Sequence, residues 1–312
     1  MSLARAFELA ERGRGTTHPN PVVGAVVVRD GEVVGEGWHE RQGGPHAEVV
    51  ALQAAGARAR GATLYVTQEP CLHHGRTPPC VEAVLEAGIS RVVAGALDPH
   101  PAHGGGLEKL RLAGVEAELV DSFEARRLNE AWRTWVEKSR PFVTYKAAIT
   151  LDGRVTVRGS RWVTGEESRG RVHELRAASD AVAVGMGTVR ADDPRLDARG
   201  VDVVRQPRRL AFGSGPLPAA SELELLSGPL DDELARLAAQ GVQSLLLEGG
   251  PTLATSFLQA DLVDKLLLFV APVLGGQGPR FLGDLGAPVE LRGQTAERLG
   301  DDVLLTAYIH EP

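Results

Sequence analysis

The chain has 312 residues, 43% of them hydrophobic and 24% charged, with a formal net charge of −7. That length predicts about two globular domains rather than one core. The acidic balance lacks the basic stripe that nucleic acid asks for, and no run approaches the ~20 apolar residues of a membrane span, so neither partner is expected.

The first residues mix acid and base without an apolar core segment, so no signal peptide is expected and the cytoplasm is the default compartment. Apolar Leu3, Ala6, Phe7 and Ala10 predict a helix over 2–14. Thr17-His18-Pro19-Asn20-Pro21 excludes helix, because two prolines remove donors. The β-branched run 22–28 and the segment 32–37 flank Asp30-Gly31 and predict a hairpin. A helix is expected over 46–59, a strand over 63–67, a helix over 80–87 behind Pro79, a strand over 90–96, a helix over 107–113 and a strand over 115–120. This alternation implies a mostly parallel sheet with helices on both faces. A helix over 123–138 carries Trp132 and Trp135 and closes a first domain, taken as 1–140.

The second domain, 141–312, repeats the alternation without an internal repeat. Strands are expected at 142–149, 181–185, 209–212, 244–247, 266–270 and 303–309, and helices at 230–240 and 251–258. Thr164-Gly165-Glu166-Glu167 predicts a capping box that opens a helix to about Ala178. The Pro- and Gly-broken stretch 215–229 is read as loop.

Chemistry concentrates at Pro45-His46-Ala47-Glu48, Pro70-Cys71 and Pro79-Cys80, which hold both cysteines of the chain. One imidazole and two thiolates are three sides of a tetrahedral zinc site whose fourth position is left for water. His46 and Glu48 are expected in the first turn of their helix, with Glu48 free to accept a proton from that water and return it to a leaving amine. A structural zinc with His39, His73 or His74 as fourth ligand, a metal-free cysteine pair and a disulfide remain open at this level. His39 is a weaker substrate candidate, and His100 and His103 carry no assigned role. The order matches the zinc-deaminase signature H-x-E…P-C-x-x-C, except that eight residues separate Cys71 from Cys80.

Residues 17–24, 46–48 and 70–80 together resemble the deaminase domain of the RibD family, the bifunctional deaminase/reductases of riboflavin biosynthesis. The longer inter-cysteine loop sets that family apart from nucleic-acid-editing deaminases. The resemblance implies a cytidine-deaminase-like three-layer α/β domain with zinc on His46, Cys71 and Cys80 and Glu48 as the catalytic proton shuttle. It also implies that Asn20 and the 73–77 loop, His73 included, face the pyrimidine and its ribose phosphate. Asn suits that task, offering a donor and an acceptor to an amidic ring edge.

In the second half, Glu248-Gly249-Gly250-Pro251-Thr252-Leu253 follows an apolar strand and opens a helix, a place where backbone approaches a ligand and phosphate is attracted. It is not a G-x-G-x-x-G fingerprint. Residues 146–154, 160–164, 176–177, 187–196 and this motif resemble the RibD reductase domain, which implies a dihydrofolate-reductase-like α/β fold. By position the resemblance implies that Ala148, Trp162, Thr188, Asp192, Ser214, Gly250, Pro251, Thr252, Leu253, Ala254, Thr255 and Ser256 hold NADPH. It implies that Ser160, Arg176, Leu196, Arg199 and Glu248 hold substrate, with Lys146 and Glu248 orienting the opened sugar. Arg176 and Arg199 suit a clamp on a ribose 5-phosphate, since guanidinium pairs bidentately with phosphate. Gly213 stands where an Asp is common in the family. A homodimer or homotetramer is also implied, with 266–270 as a candidate edge strand.

The expected activity is deamination of a 2,5-diamino-6-ribosylamino-pyrimidinone 5′-phosphate, followed by NADPH-dependent reduction of the ribosyl group to ribityl. A nucleoside- or tRNA-acting zinc deaminase with an accessory domain is disfavoured by the acidic balance and the long inter-cysteine loop. A non-catalytic zinc-stabilised binding protein is the remaining competitor.

Overall fold

A computed structural model describes residues 2–74, 78–100 and 102–312. The chain divides into two compact units, one running to Lys138 with Pro312 and one over Ser139–Glu311. Among the described residues no helix is long and apolar enough to cross a membrane.

The first unit runs α1 Ser2–Glu11, β1 Gly24–Arg29, β2 Glu32–Trp38, α2 Ala47–Ala55 with a 3-10 turn at Gly56–Ala59, β3 Thr63–Val66, α3 Cys80–Glu86, β4 Arg91–Ala94, α4 Gly106–Leu112, β5 Glu116–Leu119, α5 Phe123–Leu128 and α6 Glu130–Lys138. Its sheet has the order β2-β1-β3-β4-β5. Successive side chains of a strand point to opposite faces, and β1 follows that rule. Ala25 and Val27 join Leu64, Val66 and Val92 in the core shared with Ala51 of α2, Val84 of α3 and Leu110 of α4. Val26 points the other way, against Ala6 and Leu9 of α1. The result is three layers.

The sheet is mixed rather than mostly parallel. Asp30 and Gly31 both have positive φ, the two-residue turn that joins only antiparallel neighbours. β1 is antiparallel to β3 as well, and parallel pairing begins at β3–β4, where a helix makes the crossover. The helix expected over 123–138 is broken at Asn129. Its side-chain amide instead clasps Val22, accepting from the backbone N–H and donating to the carbonyl, both at 2.9 Å.

The second unit runs β6 Phe142–Thr150, α7 Glu166–Ala177, β7 Ala181–Gly185, α8 Met186–Asp192, β8 Arg208–Phe212, β9 Glu224–Leu226, α9 Leu230–Ala239, β10 Ser244–Leu247, α10 Pro251–Gln259, β11 Lys265–Ala271, β12 Arg292–Leu299 and β13 Asp302–Tyr308. The sheet order is β12-β13-β11-β6-β10-β7-β8-β9, parallel from β11 to β9. Val143, Tyr145, Ala147 and Ile149 of β6 face the core under Leu234 and Phe257 of α9 and α10. On the opposite face Val182 and Val184 pack with Val189 of α8.

Four expectations are corrected here. No capping box forms at Thr164: Gly165 is the N-cap, and buried Asp302 takes over by accepting from Gly165 N–H (2.8 Å) and Ser168 Oγ (2.6 Å). The 215–229 stretch contains the short edge strand β9, paired to β8 despite its flanking prolines. β11 is not an edge strand, because β6 and β13 flank it. Helix α8 and strand β12 were not anticipated; β12 is exposed over nearly its whole length, so it lacks the apolar alternation that betrays a strand.

Candidate active sites

The N-termini of α2 and α3 meet in the first unit. His46 is the N-cap of α2, in extended backbone, rather than part of its first turn, and Cys80 is the first residue of α3 behind N-cap Pro79. Glycine makes this placement possible: a Cβ at Gly37 of β2 would lie 2.6 Å from the Ala47 carbonyl, so α2 could not seat on the strand. A Cβ at Gly106 would lie 1.8 Å from the carbonyl of Pro70, which precedes Cys71.

His46 Nδ1 lies 3.1 Å from Cys80 Sγ and 3.6 Å from Cys71 Sγ. All three donor atoms lie within 4.8 Å of one another, and both thiols are buried and free, with no disulfide between them. A tetrahedral zinc with bonds of about 2.0 Å to nitrogen and 2.3 Å to sulfur sets its N and S ligands ~3.5 Å apart, so the donor set and its spacing fit the ion. His39, His73 and His74 do not join the cluster among the described residues.

The cluster is electrostatically tense. A hydrogen bond with Cys80 holds the Cys71 thiol well below its usual range against the opposing effect of burial, and the His46 ring adds to this. Cys80 is pushed up correspondingly. His46 is raised, chiefly by its hydrogen bond to Cys71. Glu48 stands outside the ligand triangle, 3% exposed, and burial pushes its carboxyl up to about 7.

The triangle opens on a cavity of about 310 Å³. Asn20 and His73 line it, as do His39, Asp98, His100, His103 and, from α6, Trp132 and Trp135. His39 Nδ1 donates to the Pro45 carbonyl at 3.0 Å, which leaves Nε2 as acceptor for the Asn20 amide at 3.4 Å. It thereby ties Asn20 to the residue before His46. His73 stacks on His103 and His103 on His100, with ring centroids 3.7 and 3.8 Å apart. The tryptophans and the His100–His103 pair are pocket residues that no local motif marks; only their distance from the cysteines in sequence conceals them. Gly75, Arg76 and Thr77, expected to face substrate, lie outside the described residues.

In the second unit a partly buried charge cluster lies at the sheet's carboxyl edge. Arg176 of α7 grips Glu248 with Nε and Nη2 at 2.6 and 3.0 Å, and Lys146 Nζ of β6 approaches the same carboxylate at 3.4 Å. Burial pushes the Glu248 carboxyl up, but Lys146 and Arg176 outweigh it and the net shift is downward. Arg176 Nη1 donates to the Asp197 carbonyl, and Arg199 pairs with the Asp197 carboxylate at 3.1 Å, so the two arginines meet at one residue. Leu196, next in the chain before Asp197, is buried in the core and has φ 56, a conformation rare for a bulky side chain. His173 joins this group by accepting from the Arg199 N–H.

The expected cofactor residues follow the carboxyl ends of adjacent parallel strands. Thr188 follows β7, Ser214 follows β8 and Gly250–Ser256 follow β10. The α8 and α10 starts are neighbours, for a Cβ at Gly250 would lie 3.5 Å from Thr188 Oγ1. Such carboxyl edges are where open α/β sheets take dinucleotides, and a free helix N-terminus at Gly250 suits a pyrophosphate. Not every residue of the set reaches this edge with a free side chain. Ala254 is fully buried in the core, and Thr255 Oγ1 accepts from Gly283 N–H. Asp192 is exposed at the end of α8, and Leu253 lies under Gly249 and Gly185. Ser160 donates to the Trp162 carbonyl, and the Arg161 and Arg169 guanidiniums lie over the exposed Trp162 ring at 5.1 and 5.3 Å from its centroid. Ala148 shares the Lys146 face of β6.

The family model of the RibD C-terminal domain matches residues 141–305, and that of the cytidine and deoxycytidylate deaminase zinc-binding region matches residues 2–96. The chain belongs to the RibD family. A riboflavin biosynthesis protein RibD of Aquifex aeolicus is 42% identical over 96% of this chain and 95% of its own length. Among solved structures, Acinetobacter baumannii RibD superposes with a TM-score of 0.86 at 36% identity, covering 98% of this chain and 97% of that one. A diaminohydroxyphosphoribosylaminopyrimidine deaminase/5-amino-6-(5-phosphoribosylamino)uracil reductase of Thermotoga maritima gives 0.83 at 36% identity, with coverage of 98% and 97%. The fold is therefore that of RibD, a deaminase domain followed by a reductase domain.

Proposed function

We propose that this chain is a bifunctional enzyme of riboflavin biosynthesis whose first unit hydrolyses the 2-amino group of a diaminopyrimidine ribosylamino phosphate and whose second reduces the ribosyl group to ribityl. Its cofactors are zinc and NADPH. The observation that carries the reading is the His46–Cys71–Cys80 triangle opening beside buried Glu48 onto a cavity, in a chain of RibD architecture. His46 Nδ1 and the two sulfurs would hold the zinc ion, which would supply an acidified water as nucleophile at neutral pH. Glu48 would accept a proton from the attacking water and return it to the departing amine, so that one water is consumed and one ammonia leaves. Asn20, steadied by His39, holds the pyrimidine edge, Trp132 and Trp135 wall the cavity, and His73 lies toward the ribose phosphate.

In the second unit bound NADPH would supply the hydride for C1′ of the opened sugar. Glu248, pinned by Arg176, fixes Lys146 Nζ to donate to a sugar hydroxyl. Arg199 is the freer phosphate donor, because Arg176 is already engaged with Glu248. We place the protein in the cytoplasm, where reducing conditions keep Cys71 and Cys80 as thiols. We read it as a homo-oligomer joined at an edge strand, β12 or β9. The test pairs ammonia release from the diaminopyrimidine phosphate with NADPH oxidation on the deaminated product. Zinc-loaded, folded protein that does neither overturns the reading.

A further inference from the structure

We propose that Gln206 is a positioning residue of the reductase site: with His173 it fixes the turn that presents Arg199 to the ribose 5-phosphate of the substrate. This rests on the reading of the second unit as a reductase with Arg199 at that phosphate, and it adds what holds Arg199 in place.

Arg199 needs such support. Its side chain is 55% exposed, and the chain from Asp193 to Pro207 has no helix or strand to hold it. An arginine on a loose loop must be ordered each time a ligand binds, which weakens binding. Here every backbone polar group from the Asp197 carbonyl to the Arg199 N–H is held by a side chain from outside the turn. Arg176 Nη1 donates to the Asp197 carbonyl at 3.2 Å. Gln206 clasps Ala198: its Oε1 accepts from the Ala198 N–H at 3.0 Å and its Nε2 donates to the Ala198 carbonyl at 2.7 Å. An amide suits this clasp, because one side chain must accept and donate at once. His173 Nδ1 accepts from the Arg199 N–H at 3.4 Å.

His173 and Arg176 stand three residues apart on α7, the spacing at which helical side chains share a face. Arg176 also grips Glu248, so the same face ties the turn to the carboxylate beside Lys146. Leu196 completes the frame. It is buried with φ 56, and a bulky residue keeps such a conformation where its surroundings over-determine it, as at ligand clamps. Ala198 is buried as well, whereas Arg199 is exposed. The backbone is therefore anchored while the guanidinium stays accessible. Its Nη1 pairs with the Asp197 carboxylate at 3.1 Å, a solvated contact of the kind that is worth little. A phosphate, taken bidentately, is the stronger partner.

The test is steady-state NADPH oxidation by full-length, zinc-loaded protein on the deaminated substrate and on its analogue lacking the 5-phosphate. Gln206 is exposed, so Q206A should fold as wild type by circular dichroism and melting temperature. It should raise KM for the phosphorylated substrate about 5- to 20-fold and leave kcat, and kcat/KM for the analogue, within about twofold. H173A should raise KM in the same direction, and H173N, whose amide oxygen replaces Nδ1 as acceptor, should restore it; this pair decides the matter if Q206A does not fold. R199Q should raise KM at least as far, and adding Q206A to R199Q should change it by less than about twofold, since the clasp acts through Arg199. An unchanged KM in Q206A, equal losses on both substrates, or additive losses in R199Q/Q206A overturn the assignment and leave the reductase reading standing. An unchanged KM in R199Q overturns the placement of the phosphate at Arg199, and the assignment with it. Wild type that oxidises no NADPH on the deaminated substrate overturns the reductase reading itself.

Discussion

Glu48 shows how much one carboxyl depends on its surroundings. It is 3% exposed, and burial, opposed by the His46 charge, pushes its pKa up to about 7, so it can hold or release a proton near neutrality. Glu48→Gln keeps the size and hydrogen-bonding reach of the side chain and removes only the titration. Ammonia release should fall by about 10²- to 10⁴-fold, with one zinc per chain still found by metal analysis. Loss of zinc along with activity would make Glu48 a structural partner of Cys80 instead. His39 illustrates the reverse case. It stands at a strand end with no motif around it, yet its two ring nitrogens join Asn20 to Pro45, the residue before His46. The Pro45 partner lies in the same loop, but Asn20 comes from the loop before β1, so nothing around His39 announces the link.

At the scale of elements, the seat of α2 on β2 decides where His46 stands. Gly37→Ala would drive a methyl into the Ala47 carbonyl, one peptide from the ligand. Overpacking of this kind costs about 1–3 kcal/mol, and G37A should show both a lower melting temperature and weaker zinc retention against a chelator. A normal zinc affinity in G37A would mean that the loop before His46, not the helix seat, sets the ligand. In the second unit Asp264 staples three strands. It accepts from both Arg140 nitrogens at 2.7 Å, from Val143 N–H at 2.8 Å and from the His310 ring at 3.0 Å. Burial raises its pKa, but these partners outweigh burial and hold the carboxyl down at about 2. A carboxyl lowered from an ordinary ~3.9 stabilises the fold above that ordinary value, by about 2–3 kcal/mol, and the contribution disappears as pH falls from ~4 toward 2. The stability gap between wild type and D264N, measured by urea unfolding, should therefore be largest at pH 6 and shrink below pH 4. A gap that does not change between pH 6 and 3 would exclude ionised Asp264 as its origin.

For the whole molecule, the two units have separate cores. Ala25, Leu64 and Val92 belong to one, and Tyr145, Leu234 and Phe257 to the other. The double variant C71S/C80S should lose zinc and ammonia release while binding NADPH within about twofold of wild type, as read by metal analysis and calorimetry. A parallel loss of NADPH binding would mean that zinc supports the second unit's fold.

Local pattern determined a great deal of this protein. Period-two apolar strands, the Asp30-Gly31 turn and proline placement were enough for most elements. The zinc candidates were legible because His46, Glu48, Cys71 and Cys80 sit in short motifs whose chemistry needs those residue types. Other features were decided only by tertiary structure. β12 has a polar sequence and is a strand because β13 offers it hydrogen bonds. Asp302 caps α7 from 137 residues beyond Gly165, and Asn129 breaks a helix to hold Val22, 107 residues before it. Trp132 and His103 enter the cavity of His46, and His173 meets Arg199, through folding alone. The physical reason is common to all of them. A buried polar group must be paired, but its partner need not be near in sequence; composition and spacing record which groups need partners, and only the packed chain determines which ones they meet.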